Sequence, residues 1–149
     1  TTMPSVHLPT ERPIFKKCLE ALGVSLLSKE ESSRISTIFD EMFPLDQLGK
    51  IDWDKIDNKI DVGYDPENII PSLERLLGTS VINTSVYIIW SSARYPAIKA
   101  DLNKIIECFE SVTSISPDKF IFNLEFGYVL EILVSDQMTI GLSSSVRKI

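Results

Sequence analysis

Histidine is almost missing from this chain: the only one in 149 residues is His7, in a lead-in that holds two prolines and shows no period. One imidazole rules out a His-based metal site, and in that position it offers little to a catalytic dyad. Cysteine is nearly as scarce. Cys18 and Cys108 are 90 residues apart, and neither has a cysteine or histidine neighbour at ligand spacing. A zinc site is therefore unsupported, and a single pair makes no disulfide framework. Each falls in an apolar helical pattern, so the expectation is two buried, reduced thiols. The six glycines are scattered, with no phosphate-cradling loop, dinucleotide fingerprint or nucleophile elbow. No apolar run reaches the length of a transmembrane helix, and no basic start leads into an apolar stretch. Basic residues are also outnumbered, 15 against 21 acids, for a net charge of −6 and a pI near 4.8. An acidic surface repels nucleic acid and anionic lipid and favours a basic protein partner. These absences lead to the expectation of a cytoplasmic, non-enzymatic protein with no cofactor, no metal and no direct nucleic-acid or membrane ligand.

What is present suffices for a core. Forty-four per cent of residues are hydrophobic and 24 per cent charged, an ordinary globular balance. The length suits one domain over residues 1–149, with 1–10 and 143–149 as loose ends. Val86 to Trp90 is almost purely β-branched and aromatic, as in a strand buried on both faces. Pro96 then sits where a helix takes its first turn, and Ile98, Leu102, Ile105, Ile106 and Phe109 recur at helical spacing, predicting one amphipathic helix of about four turns. Residues 120–124, 128–134 and 138–142 are apolar segments separated by turn residues, which predicts an antiparallel meander. The strand at 86–90 should join it in an α+β fold, a four-stranded antiparallel sheet with its helices on one face.

Upstream, Thr10 and Pro13 open a helix carrying Ile14, Phe15, Cys18, Leu19 and Leu22, and Gly23 closes it. Ser28 and Glu31 have capping-box spacing before a second helix with Ile35, Ile38, Phe39 and Met42. The two read as an antiparallel helical pair. The stretch from Pro44 to Asp65 is irregular and fits either a short helix through Trp53, Ile56 and Ile60 or a loop and short strand. Pro71 is placed at the start of the next helix, which Gly78 ends.

Two features invite a functional reading. Within residues 52–67, Asp52, Asp54, Asp57, Asp61, Asp65 and Glu67 face only Lys55 and Lys59, with Trp53 and Tyr64 interleaved. The three aspartates at 52, 54 and 57 lack the glycine and terminal glutamate of a calcium loop. Carboxylates around aromatic anchors complement a surface of lysines and arginines that otherwise holds phosphates. The plainer alternative is a solvated loop. Glu131 is the other feature, since it interrupts an apolar strand on the same face as Val129 and Leu133. If that face is buried the carboxylate needs a partner such as Arg94 or a lysine.

Tyr87-Ile-Ile-Trp90, Pro96, Lys119-Phe-Ile-Phe-Asn, Gly127-Tyr-Val-Leu-Glu131 and Met138-Thr-Ile-Gly141, with Ile51-Asp-Trp53 more loosely, resemble the immunity proteins of bacterial contact-dependent growth-inhibition systems. The resemblance covers roughly residues 85–142 and implies a protein that binds its cognate toxin domain, commonly a nuclease, and blocks it. The partner-binding residues expected are then Asp52, Trp53, Asp54, Asp57, Asp61, Tyr64, Asp65 and Glu67. The alternative is a small enzyme or ligand-binding domain with a site between sheet and helices around Glu131 and Arg94.

Overall fold

A computed structural model describes residues 12–81, 84–90 and 95–143. His7, Arg94, the lead-in 1–10 and the end 144–149 lie outside the described residues.

Two helices come first. Helix α1 (Pro13–Leu22) has Arg12 rather than Thr10 as its N-cap and starts with Pro13, whose missing N–H costs nothing there. Phe15, Cys18 and Leu22 are buried on it, while Ile14, expected on the same stripe, is exposed. Helix α2 (Lys29–Met42) is capped as its sequence predicts, with Ser28 Oγ accepting the Glu31 N–H at 3.0 Å. The Glu31 carboxylate turns to Arg34 instead of completing the box.

The irregular stretch resolves into the second of its two alternatives. Leu45 bridges Ile51, a 3-10 turn covers Trp53–Lys55, and strand β1 follows (Lys59–Gly63). A 3-10 turn at Pro66–Asn68 leads into helix α3 (Ile69–Leu77), so Pro71 falls inside the first helical turn instead of opening the helix.

The main departure comes after strand β2 (Ser85–Trp90). Ile98–Asp101 forms strand β3, not helix. Helix begins only at Leu102 and breaks at Cys108, giving α4 (Leu102–Glu107) and α5 (Phe109–Thr113). In β3 Ile98 and Ala100 are buried while Lys99 and Asp101 are exposed, the alternation of a strand with one face covered. The meander stands as expected, with strands β4 (Lys119–Phe122), β5 (Tyr128–Ile132) and β6 (Met138–Leu142). Asn123 shapes its first turn: the side-chain amide donates to Ser85 O at 2.8 Å and the carbonyl accepts from Phe126 N.

The sheet has six strands in the order β1-β6-β5-β4-β2-β3, and every described pairing is antiparallel. It is wider than the expected four because β1 and β3 add an edge each. Its helices cover both faces rather than one. On the first face α1, α3, α4 and α5 pack on Val86, Ile88, Trp90, Leu130 and Ile140. On the other, Ile35 and Phe39 of α2, with Phe43, pack on Phe120, Phe122 and Val129. The first two helices therefore bury their stripes in different cores instead of against each other. Strand β2 comes near the expected burial on both faces, since Val86, Ile88 and Trp90 are buried and Tyr87 and Ile89 half-buried.

Two hydroxyls fix α2 to the sheet. Ser143 Oγ donates to Met42 O at 2.7 Å, and Ser32 Oγ accepts the Ala97 N–H at 2.8 Å. Ser143 is thus buried structure rather than the start of a loose tail.

Candidate functional site

The acidic stretch runs along one edge of the sheet. Asp54 and Asp57 precede β1, Asp61 lies on it, and Tyr64, Asp65 and Glu67 follow it. All six are exposed, with Tyr64 at 62%. Two of the carboxylates also shape the backbone: Asp61 Oδ1 accepts the Gly63 N–H at 3.1 Å, and Asp65 Oδ1 accepts the Glu67 N–H at 2.9 Å. Asp52 is half-buried and lies 3.7 Å from the Lys55 ammonium. The acids form a ridge that brackets the outermost strand, with Asp61 alone on the strand itself.

Trp53 has another task. Its indole Nε1 donates to Glu131 Oε1 at 2.8 Å, joining residues 78 positions apart. The ring lies across β6 where Gly141 has no side chain; a Cβ there would come within 2.6 Å of Trp53 Cζ3 and 3.0 Å of Ile56 Cγ2. Glycine is required at 141 by this approach. Lys59 Nζ holds the Trp53 carbonyl at 2.7 Å. The ridge is pinned to the sheet by this one side chain and its neighbours.

Glu131, 5% exposed, is a buried carboxylate, while Arg94, one of the partners considered for it, lies outside the described residues. No ammonium or guanidinium among the described residues bonds it. Its hydrogen bonds come from the neutral Trp53 indole and the Ile51 backbone. Burial raises its pKa above the ordinary carboxyl value; the Trp53 bond opposes that, the Asp118 charge adds to it, and the Ile51 bond and Lys50 charge oppose it. Lys50 itself pairs with Asp118 at 3.5 Å. Closed over by indole and sheet, Glu131 serves as an anchor for the 51–56 segment. No spacing signal links residues so far apart, although Trp53, Glu131 and Gly141 all fall in the segments that carried the family resemblance.

The remaining chemistry is sparse. Cys18 and Cys108 are free thiols; burial, followed by the nearby Cys108, pushes Cys18 up to about 11, so it stays protonated and unreactive. Among the described residues no cluster of His, Cys, Asp or Glu is placed to hold a metal ion. No helix of the described residues is long and apolar enough to cross a membrane.

A search of curated proteins finds no match to the chain. A scan of protein families does: the model for CdiI immunity protein, EcoliA0-like, matches residues 12–141, from the first helix through the last strand. That span is most of the chain and takes in the acidic ridge, the Trp53–Glu131 anchor and both cores, so the chain belongs to the family of CdiI immunity proteins of the EcoliA0-like type.

Proposed function

We propose that this immunity protein neutralises a basic nuclease toxin domain in the cytoplasm by laying the ridge of residues 52–67 over the toxin's phosphate-binding surface. The reading is supported by one observation above the others: Asp61 on the edge strand β1, Asp54 and Asp57 before it, and Tyr64, Asp65 and Glu67 after it are all exposed. A nuclease holds its substrate with lysines and arginines, and carboxylates take the place of the substrate's phosphates without offering a bond to cleave. The inhibitor then needs no catalytic group of its own. Asp52 and Trp53 belong to this surface as its base, because Trp53 fixes the turn from which Asp54 projects.

Charge of this kind acts mainly on encounter. Long-range attraction accelerates association and is screened by salt, whereas a packed aromatic at the centre slows dissociation. The test is binding kinetics against the product of the adjacent gene. With Asp54, Asp57, Asp61 and Asp65 replaced by asparagine, the on-rate should fall about tenfold or more at low ionic strength and the salt dependence should flatten. Tyr64→Ala should act mainly on the off-rate. Unchanged rates and unchanged salt dependence would move the interface elsewhere on the molecule.

A further inference from the structure

Six large hydrophobic side chains are exposed among the described residues, and the three most exposed are Leu48 at 83%, Val134 at 73% and Tyr64 at 62%. Strand register puts all three at one end of the sheet. Tyr64 follows Gly63, which pairs with Met138 at the start of β6. Val134 lies in the turn that joins β5 to β6, just beyond the pair Ile132 and Met138. Leu48 stands in the loop 46–50, whose Lys50 bridges to Asp118. Asp118 directly precedes β4, which opens with Lys119 opposite Ile132. From β1 to β4 is three strand spacings, about 14 Å, so a single partner surface can cover the three side chains together.

The two turns that carry Leu48 and Val134 have a fixed backbone. Asp46 Oδ1 accepts the N–H of Leu48 at 2.8 Å and that of Lys50 at 3.0 Å, and Asp46 N–H donates to Lys50 O at 2.7 Å. In the other turn Leu133 N–H donates to Gln137 O at 3.0 Å and Asp136 N–H to Leu133 O at 2.8 Å. Side chains presented on a fixed backbone lose less freedom when a partner covers them. The surroundings are acidic. Asp46, Asp65, Glu67 and Asp136 are exposed at this end, whereas Lys50 is paired with Asp118 and Lys119 is buried. A single exposed leucine means little, but three apolar side chains at one end among carboxylates have the make-up of an interface.

We infer that this end of the sheet is the face that grips the toxin: Leu48, Tyr64 and Val134 pack on apolar surface beside the toxin's basic cleft, and the carboxylates around them meet its lysines and arginines. The inference rests on the reading above for the identity of the partner and adds to it the place where the complex is held. Charge decides among occupants. A second copy would bring the same carboxylates against these, and nucleic acid or anionic lipid would bring phosphates, so like charges repel in each case. A basic protein satisfies the acids and covers the apolar side chains at once.

The experiment is binding kinetics against the adjacent gene's product, with the ¹⁵N spectrum confirming the fold of each variant. Leu48→Ser and Val134→Ser should each raise Kd about tenfold through the off-rate, leaving the on-rate and its salt dependence as they were. Leu124→Ser, in the β4–β5 turn at the opposite end, is the control and should change neither rate. Unchanged off-rates in the first two variants, or an equal rise in the control, would overturn the end face and leave the ridge to stand on its aspartate replacements. If those replacements change nothing while the two serine variants raise the off-rate, the ridge fails and the end face stands. An unaltered protein that binds no such product overturns both.

Discussion

Among the described residues Glu131 is held by an indole N–H and a backbone group, neutral donors both. Trp53→Phe removes one of those donors and strands a buried carboxylate, which should cost about 1–3 kcal/mol. Gly141→Ala pushes a methyl group into the same indole and should cost a similar amount, about 1–3 kcal/mol, by overpacking. Because both changes loosen one contact, the double variant should fall short of their sum, which a denaturation cycle on the four proteins measures. Glu131 also gives a pH signature with a definite sign. Its folded pKa lies above the unfolded value, so in the window between them the folded state binds more protons and stability falls as pH rises. Glu131→Gln should remove that component, seen as a smaller loss of stability than the parent shows as the pH rises from the ordinary carboxyl range toward neutrality. The sequence revealed that this glutamate interrupts an apolar strand. It did not reveal the partner, because an indole needs no charge pattern to announce it and the two residues meet only once β1 has paired with β6.

At the scale of elements, Trp90 in β2 shows what local pattern conveys well. It is 3% exposed, its indole donates to Val112 O at 3.2 Å, and its ring meets Phe15 edge-on at 5.3 Å between centroids. Trp90→Ala should destabilise the fold by about 3–5 kcal/mol, read from the denaturation midpoint, through lost burial and the cavity left behind. The meander was equally legible, since turn residues bound each of its strands and only short connections separate them. Residues 98–101 were not. Ile98, Leu102 and Ile105 fit a helical period, but Ile98, Ala100 and Leu102 fit an alternating one just as well. What decides between them is the open edge of β2, which pairs with Ile98–Asp101 through four residues on each strand. The same long-range choice separates α1 from α2: two apolar stripes read as a pair when the sheet between them is not yet in view.

Over the whole molecule, a sheet buried on both faces has its freedom at the edges, and the acids occupy one of them. This placement predicts a separation of effects. Neutralising the exposed acids of residues 54–67 should shift the denaturation midpoint little, since exposed carboxylates contribute little to stability, while the salt dependence of toxin binding changes strongly. A large loss of stability in the multiple asparagine variant would show that the ridge is structural. The acidic balance and its concentration were legible in the sequence; that the acids bracket an edge strand was not, because β1 is a strand only by virtue of a partner some 80 residues later.

That pairing bears on the order in which protection becomes available during synthesis. Lys59–Asp61 leave the ribosome long before Met138–Gly141, the strand on which they lie, and Glu131 too comes after Trp53. The acidic edge therefore cannot be assembled on a nascent chain until its distant partner has been made. A polypeptide released before Met138 would carry every acid of the ridge and still present none of them on a sheet, so a prematurely terminated copy should leave its cell as vulnerable as no copy at all.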